Sequence, residues 1–216
     1  LELIKRAEEA ELPAGWKKEI IIVDDGSNDG TKKKLDAVKG LKIVFHSQNS
    51  GKGAAIRTGI EHSTGNIVLI QDADLEYNPK EYKKLLKPLL SGSTDVVYGQ
   101  RAIKFDPNNF QFVLHYFGNK LLTLITKILY FTKINDMETG YKVFKREAIK
   151  SLTIESNGFD FEPEITAKIV RAGWKIENVP VSFSPRTAKM GKKINWKDGF
   201  VALYVLLRLR FFKNRY

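Results

Sequence analysis

An α/β fold is expected, with a doubly wound, mostly parallel sheet and an amphipathic helical portion at the C-terminal end. Three observations predict it. Short β-branched runs such as Ile20-Ile21-Ile22-Val23 and Ile67-Val68-Leu69-Ile70 stop abruptly at acids and read as buried parallel strands. Segments of helical period alternate with these runs across short turns, the pattern of strand–helix–strand units. After Arg101 the character changes to long aromatic and aliphatic stretches with scattered cations. The 216 residues suit one domain with a sizeable core.

Leu1 to Glu11 fits a helix with Leu1, Ile4 and Ala7 on one face, broken by Pro13-Ala14-Gly15. The chain opens without methionine in the middle of that helical pattern, which implies upstream sequence. Glu19 to Asp25 reads as a strand, Gly26 to Gly30 as a turn, and Thr31 as the cap of a helix to about Val38. Leu41 to Phe45 makes another strand. Asn49-Ser50-Gly51-Lys52-Gly53 opens a helix through about His62 that packs through Ala54, Ala55, Ile56 and Ile60. Asn78-Pro79 is an N-cap with proline in the first turn of a helix to about Leu90, and Asp95 to Gly99 is a strand.

Phe110 to Phe131 reads either as a core helix or as an amphipathic element lying in a membrane interface. Asp136 to Phe144 is a loop feeding a short strand. A helix around Pro163 to Ala172 and a strand from Trp174 to Val181 follow. Beyond the basic loop Ser184 to Lys193, the segment from Trp196 to Phe212 is too short to span a bilayer and too apolar to be fully solvated.

The formal net charge of +11 points to acidic partners. Basic residues gather late: Arg186, Lys189, Lys192, Lys193, Lys197, Arg208, Arg210, Lys213 and Arg215 face Asp198 alone. With no cysteine there is no disulfide framework, thiolate metal site or cysteine nucleophile. His46, His62 and His115 have no metal-ligand spacing.

The chemistry centres on Asp72-Ala73-Asp74. If the strand stays extended to its end, side chains at i and i+2 share a face and the two carboxylates converge. Open α/β sheets bind ligands at that edge, and paired carboxylates there suit a hard divalent cation holding a diphosphate. Asp24 and Asp25, before Gly26-Ser27, stand at an equivalent strand end, where acids can accept hydrogen bonds from a base or ribose. Asn49-Ser50-Gly51-Lys52-Gly53 fits neither common phosphate-loop spacing, so no ATP site is assigned, although Lys52 is placed to face a diphosphate.

The ordered set Val-Asp-Asp-Gly-Ser, Asn-x-Gly-Lys-Gly-x-Ala, Asp-Ala-Asp, Gly-x-Arg and Thr-Gly-Tyr-Lys resembles family-2 glycosyltransferases of GT-A fold. Within them it is similar to the dolichol-phosphate mannose synthases and dolichyl-phosphate β-glucosyltransferases. The likeness runs from about Glu19 to Arg210. It implies a nucleotide-sugar-binding half over about residues 1–100 and an acceptor-binding, membrane-facing half over about 101–216. Asp24, Asp25, Ser27, Lys52, Asp72 and Asp74 are implied in donor binding. Asp72, Asp74 and Glu76 are implied as ligands of Mg²⁺ or Mn²⁺. Arg101, Lys142, Arg186, Lys192 and Lys193 are implied in binding the acceptor and phosphates. Asp74, Arg101, Asp136 and Glu164 are the implied catalytic set, and Thr139 belongs to the same segment as Asp136 and Lys142. The family's opening strand, with its Pro-x-x-Asn-Glu segment, has no counterpart here.

The resemblance further implies an inverting hexosyl transfer from a GDP-mannose or UDP-glucose type donor to dolichyl or polyprenyl phosphate. Such an enzyme would sit peripherally at the cytoplasmic face of a membrane, held by the C-terminal apolar-basic segment, with no nucleic acid as partner. The alternatives are transfer to a sugar or protein hydroxyl, and a non-catalytic basic module binding membrane or nucleic acid.

Overall fold

A computed structural model describes residues 1–103, 110–185 and 196–212. The elements in order are α1 (Glu2–Glu9), β1 (Ile21–Asp24), α2 (Thr31–Asp36), β2 (Lys42–Phe45), α3 (Lys52–His62), β3 (Ile67–Ile70), a 3₁₀ turn (Pro79–Glu81), α4 (Tyr82–Leu90), β4 (Val96–Ala102), α5 (Phe110–Tyr130), β5 (Lys142–Lys145), α6 (Arg146–Lys150), α7 (Phe161–Arg171), β6 (Ile176–Ser182) and α8 (Trp196–Phe211). The expected α/β alternation is present. Among the described residues the strands form two sheets, β1–β2 and β3–β5–β4–β6. β1 pairs with β2 in parallel, as does β4 with β6, while β5 runs antiparallel to both β3 and β4. β5 is thus the one reversed strand of the larger sheet.

The larger sheet is the centre of the core because it buries both faces. Val96 and Tyr98 point to one side, Val97 to the other, as the two-residue period of a strand demands. On the first side, Val96, Tyr98 and Phe144 pack with Phe161 and Ile165 of α7 and Leu206 of α8. On the second, Val97, Val143 and Tyr141 pack with Leu85 and Leu89 of α4 and Ala7 of α1. Gly99 has no side chain because a Cβ there would run into Tyr141 and Val181.

Three expectations need correction. β3 ends at Ile70 and residues 73–74 lie in a turn, so strand alternation does not set the directions of Asp72 and Asp74. The chain turns so soon after the strand that Leu75 takes φ 63. Gly30, at φ 86, is the N-cap of α2, while the Asp29 carboxylate accepts the Thr31 N–H at 3.1 Å; Thr31 does not cap the helix itself. α7 begins at Phe161, two positions before Pro163, and this brings Glu162 into its first turn. The Asn78 cap is as expected, its side chain accepting the Lys80 N–H at 3.1 Å.

Candidate active site

The loop 136–142 gathers the site, and the reason lies in its backbone. Asp72, just past β3, sits directly against Gly140: any Cβ at position 140 would collide with Asp72 Oδ2 and crowd the Tyr77 ring. The Gly140 N–H donates to the Tyr77 hydroxyl at 2.8 Å. Tyr77 in turn lies against Tyr141, ring centroids 4.4 Å apart. The glycine of Thr139-Gly140-Tyr141-Lys142 is therefore needed for a carboxylate to approach the chain.

Asp72 does not stand alone there. Lys52, the first residue of α3, places Nζ 3.0 Å from Asp72 Oδ1, 3.1 Å from Oδ2 and 2.7 Å from Glu162 Oε1. Burial opposes the Lys52 charge, but the Glu162 and Asp72 carboxylates outweigh it and raise its pKa well above that of a free lysine. α3 is itself held at its start. Asp25 accepts the Ser50 N–H at 2.9 Å and the Gly51 N–H at 2.7 Å, and His46 Nδ1 lies 2.7 Å from the same carboxylate. Burial would raise the Asp25 pKa, yet these donors hold it below the usual carboxylate range. Asp24 is buried and accepts the Ser27 hydroxyl. Asp24, Asp25 and Ser27 thus shape the β1–α3 corner that carries Lys52. Gly51 and Gly53 serve close backbone approach to residues 156 and 157, with the Ala54 N–H donating to Asn157 O at 3.2 Å; they are not a phosphate cradle in this arrangement.

Deeper in the loop, Lys142 is 1% exposed and donates to the carbonyls of Met137 (3.1 Å) and Thr139. Its ammonium lies 4.8 Å from the Tyr98 ring centroid. Burial pulls the Lys142 pKa down to about 8, although Glu162 pulls the other way. Burial, reinforced by the nearby Glu162 charge, pushes the Glu138 carboxyl up to about 7. Glu138 Oε1 and Glu162 Oε2 are both buried without a hydrogen-bond partner.

At the far end Arg101 and Asp136 form a two-pronged pair, Nε to Oδ2 and Nη2 to Oδ1, both 2.7 Å. Asn119 of α5 donates to the same carboxylate at 3.1 Å, and Phe183 lies beneath the guanidinium at 5.1 Å. Burial would raise the Asp136 pKa, but Arg101 outweighs it and keeps the group ionised.

Several implied residues fall elsewhere. Glu164, expected to line the donor pocket, is fully buried and accepts the N–H groups of Glu155 (2.9 Å) and Ser156 (2.7 Å) and the Lys168 ammonium (2.6 Å). It braces the loop before α7. The residue that faces Lys52 is Glu162, which sequence reasoning passed over. Two residues along a helix are roughly 200° apart, so only one acid of Glu162-Pro163-Glu164 can face the site. Asp74 accepts the Glu76 N–H at 3.2 Å. Among the described residues no three His, Cys, Asp or Glu side chains converge to hold a metal, so Asp72, Asp74 and Glu76 do not form a three-carboxylate cage. Arg186, Lys192 and Lys193 lie outside the described residues.

A family model described as glycosyl transferase family 2 matches residues 2–153. The chain belongs to that family. Glycosyltransferase AglJ of Haloferax volcanii is 32% identical over 168 residues, which cover 77% of this chain and 54% of that protein. The low-salt glycan biosynthesis hexosyltransferase Agl6 of the same organism is 28% identical, over 83% of this chain and 43% of its own length. This family-2 chain thus spans about half the length of either relative. Among solved structures, glucosyl-3-phosphoglycerate synthase from Mycobacterium tuberculosis, in complex with Mn²⁺, uridine diphosphate and phosphoglyceric acid, superposes with a TM-score of 0.70 at 21% identity. That match covers 96% of this chain and 72% of the synthase, and it establishes a shared fold.

Proposed function

We propose that the protein transfers a hexosyl group, with inversion, from a nucleotide-sugar of the GDP-mannose or UDP-glucose type to dolichyl or polyprenyl phosphate, working peripherally at the cytoplasmic face of a membrane. Membership of the family supports an enzyme over a non-catalytic basic module. The observation that carries the reading is the meeting of Asp72, Lys52, Glu162 and the Arg101–Asp136 pair around one loop. Carboxylates for a cation and cations for phosphates stand together there.

Asp72 and Asp74 would hold Mg²⁺ or Mn²⁺, whose remaining oxygens would come from phosphates and water. When bound, that cation supplies charge stabilisation for the departing diphosphate. Lys52, which bridges two carboxylates, would turn toward the same diphosphate. An acceptor phosphate would compete with Asp136 for the Arg101 guanidinium, whose planar fork matches either partner. A phosphomonoester has a second pKa near ~6, so it arrives largely dianionic and needs cations to position it, not a base to activate it. Asp136 and Glu164, both in the implied catalytic set, are each committed as a carboxylate to a cation.

Transfer to a hydroxyl is the second reading, favoured by one observation. Glu138, pushed to about 7 and with Oε1 unpaired, has the properties of a general base poised near neutrality. Incubation with labelled nucleotide-sugars, a divalent cation and either polyprenyl phosphate or sugar acceptors separates the two. Lipid-linked product that persists in Glu138→Gln supports the first reading. Product on sugar hydroxyls alone, abolished in that variant, replaces it with the second.

A further inference from the structure

Two helices of this molecule share an apolar face that its core does not cover. On α5, and just past it, Leu114, Phe117, Leu121, Leu124, Ile128 and Phe131 are 52–84% exposed. Their spacing of three and four residues places them on one stripe. On α8, Phe200, Tyr204, Leu207 and Phe211 repeat that spacing and are 38–70% exposed. The opposite faces are buried, Thr123, Thr126 and Tyr130 on α5 and Ala202, Val205, Leu206 and Leu209 on α8, with Tyr130, Val205, Leu206 and Leu209 in one core cluster. The Tyr130 hydroxyl donates to Leu206 O at 2.7 Å, and Arg210 stacks over Phe131 at 5.6 Å. The helices therefore lie side by side, and their outward stripes come together at the Phe131–Arg210–Phe211 end.

Contiguous apolar surface of this kind marks an interaction site. Its charges say which. Lys120 and Arg210 are exposed on these helices, Lys127 and Arg208 are half-buried, Arg208 being paired with Glu155 at 3.4 Å, and the two helices carry one acid, Asp198 in the first turn of α8. A second copy of the chain would bring these cations face to face. An anionic headgroup layer would neutralise them while taking the apolar side chains. No helix among the described residues is long and apolar enough to cross a membrane, so the pair would lie in the plane.

We propose that the α5–α8 face docks on the surface of an anionic lipid bilayer. The docking itself stands on this face alone; its consequence for the acceptor rests on the function proposed above. Asn119, two residues from both Phe117 and Leu121 and so on the other side of α5, touches Asp136 of the Arg101 pair. About one helix diameter, ~10 Å, then separates the lipid-facing stripe from that pair. A phosphate carried by a membrane lipid would meet Arg101 near headgroup depth.

Co-sedimentation of the protein with phosphatidylcholine vesicles, with and without phosphatidylglycerol, tests the docking in the absence of donor and acceptor. Binding is expected to need phosphatidylglycerol and to weaken with added salt. Leu121→Gln with Ile128→Gln, both exposed and neutral changes, should keep the parent's melting curve yet lower vesicle affinity at least about tenfold, the scale of burying one apolar side chain. Lys120→Gln with Arg210→Gln should reduce the salt dependence. Equal binding by the Leu121/Ile128 variant, or no binding by the parent, overturns the proposal. Dimers that this variant dissolves, without vesicle binding by the parent, would assign the face to a second copy instead. The variant's transfer to a short-chain, water-soluble polyprenyl phosphate should match the parent's. If the parent binds vesicles but makes no lipid-linked product, the docking stands and the proposed function fails.

Discussion

Gly140 and Asp72 occupy one another's space, and that contact is open to a single-atom test. Gly140→Ala adds a methyl group where Asp72 Oδ2 lies. The carboxylate must move, because the alternative is to shift the loop that also holds Tyr77 and Lys142. Affinity for Mn²⁺ with a nucleoside diphosphate, measured calorimetrically, is expected to fall roughly ten- to a hundredfold, the scale of losing one charge-assisted contact of about 1.5–3 kcal/mol. Unchanged affinity would mean that Asp72 takes no part in donor binding. Glu138 makes a second prediction through pH. Its carboxyl titrates near 4.5 when free and about 7 when folded, so the native state holds an extra proton between those values. That contribution to stability is complete below pH 4.5 and lost as pH rises through 7. Glu138→Gln cannot ionise and should flatten the decline, a difference on the order of 1–3 kcal/mol across the window in urea titrations.

At the scale of elements, the first turn of α7 divides two jobs between two acids. Glu164 and Lys168 form a buried pair that also ties down residues 155 and 156. Glu164→Gln should destabilise the fold by about 3 kcal/mol, within the range for removing one partner of a buried ion pair, and leave donor affinity near that of the parent. Glu162→Gln should do the reverse, sparing most of the stability while weakening donor binding through Lys52. Thermal melts and donor titrations on both variants decide it, and loss of donor affinity in Glu164→Gln alone would reverse the assignment. This turn also marks the limit of what the sequence disclosed. Strand-ending acids, the Asn78 cap and the Thr139-Gly140 motif were legible because each is written in adjacent residues. Which acid of Glu162-Pro163-Glu164 faces Lys52 depends on where α7 starts, and the sequence pattern puts that start two residues late. The Arg101–Asp136 pair joins positions 35 residues apart and has no local signature. Glu138, too, gains its unusual proton affinity only from burial near Glu162.

Across the whole molecule, protection is unevenly distributed, and the site straddles the division. β4 and β5 lie inside the four-stranded sheet, with Val96, Val97, Tyr98, Val143 and Phe144 at 0% exposure. β1 and β2 form a two-stranded sheet, and Ile21, Ile22, Val23, Ile43 and Val44 are all only half-buried. Two-stranded sheets are marginal on their own, so β1–β2 depends on what packs against it. α3 packs against β1, and the Glu19 carboxylate joins the segment before β1 to the Gly65 N–H before β3 at 2.7 Å. Opening of β1–β2 should therefore cost much less than global unfolding, as expected of a region with few fully buried contacts. Hydrogen exchange read by mass spectrometry is expected to show β1 and β2 amides exchanging at least about tenfold faster than those of β4 and β5, a gap of about 1.4 kcal/mol or more. Asp25 and Lys52 belong to the less protected side, while Asp72, Gly140 and Arg101 belong to the better protected one. A ligand that engages both sides should close the gap by slowing β1 and β2 selectively. Uniform protection without ligand, or slowing confined to β4 and β5 when a nucleotide-sugar and Mn²⁺ are added, would show that the donor does not bridge the two sheets.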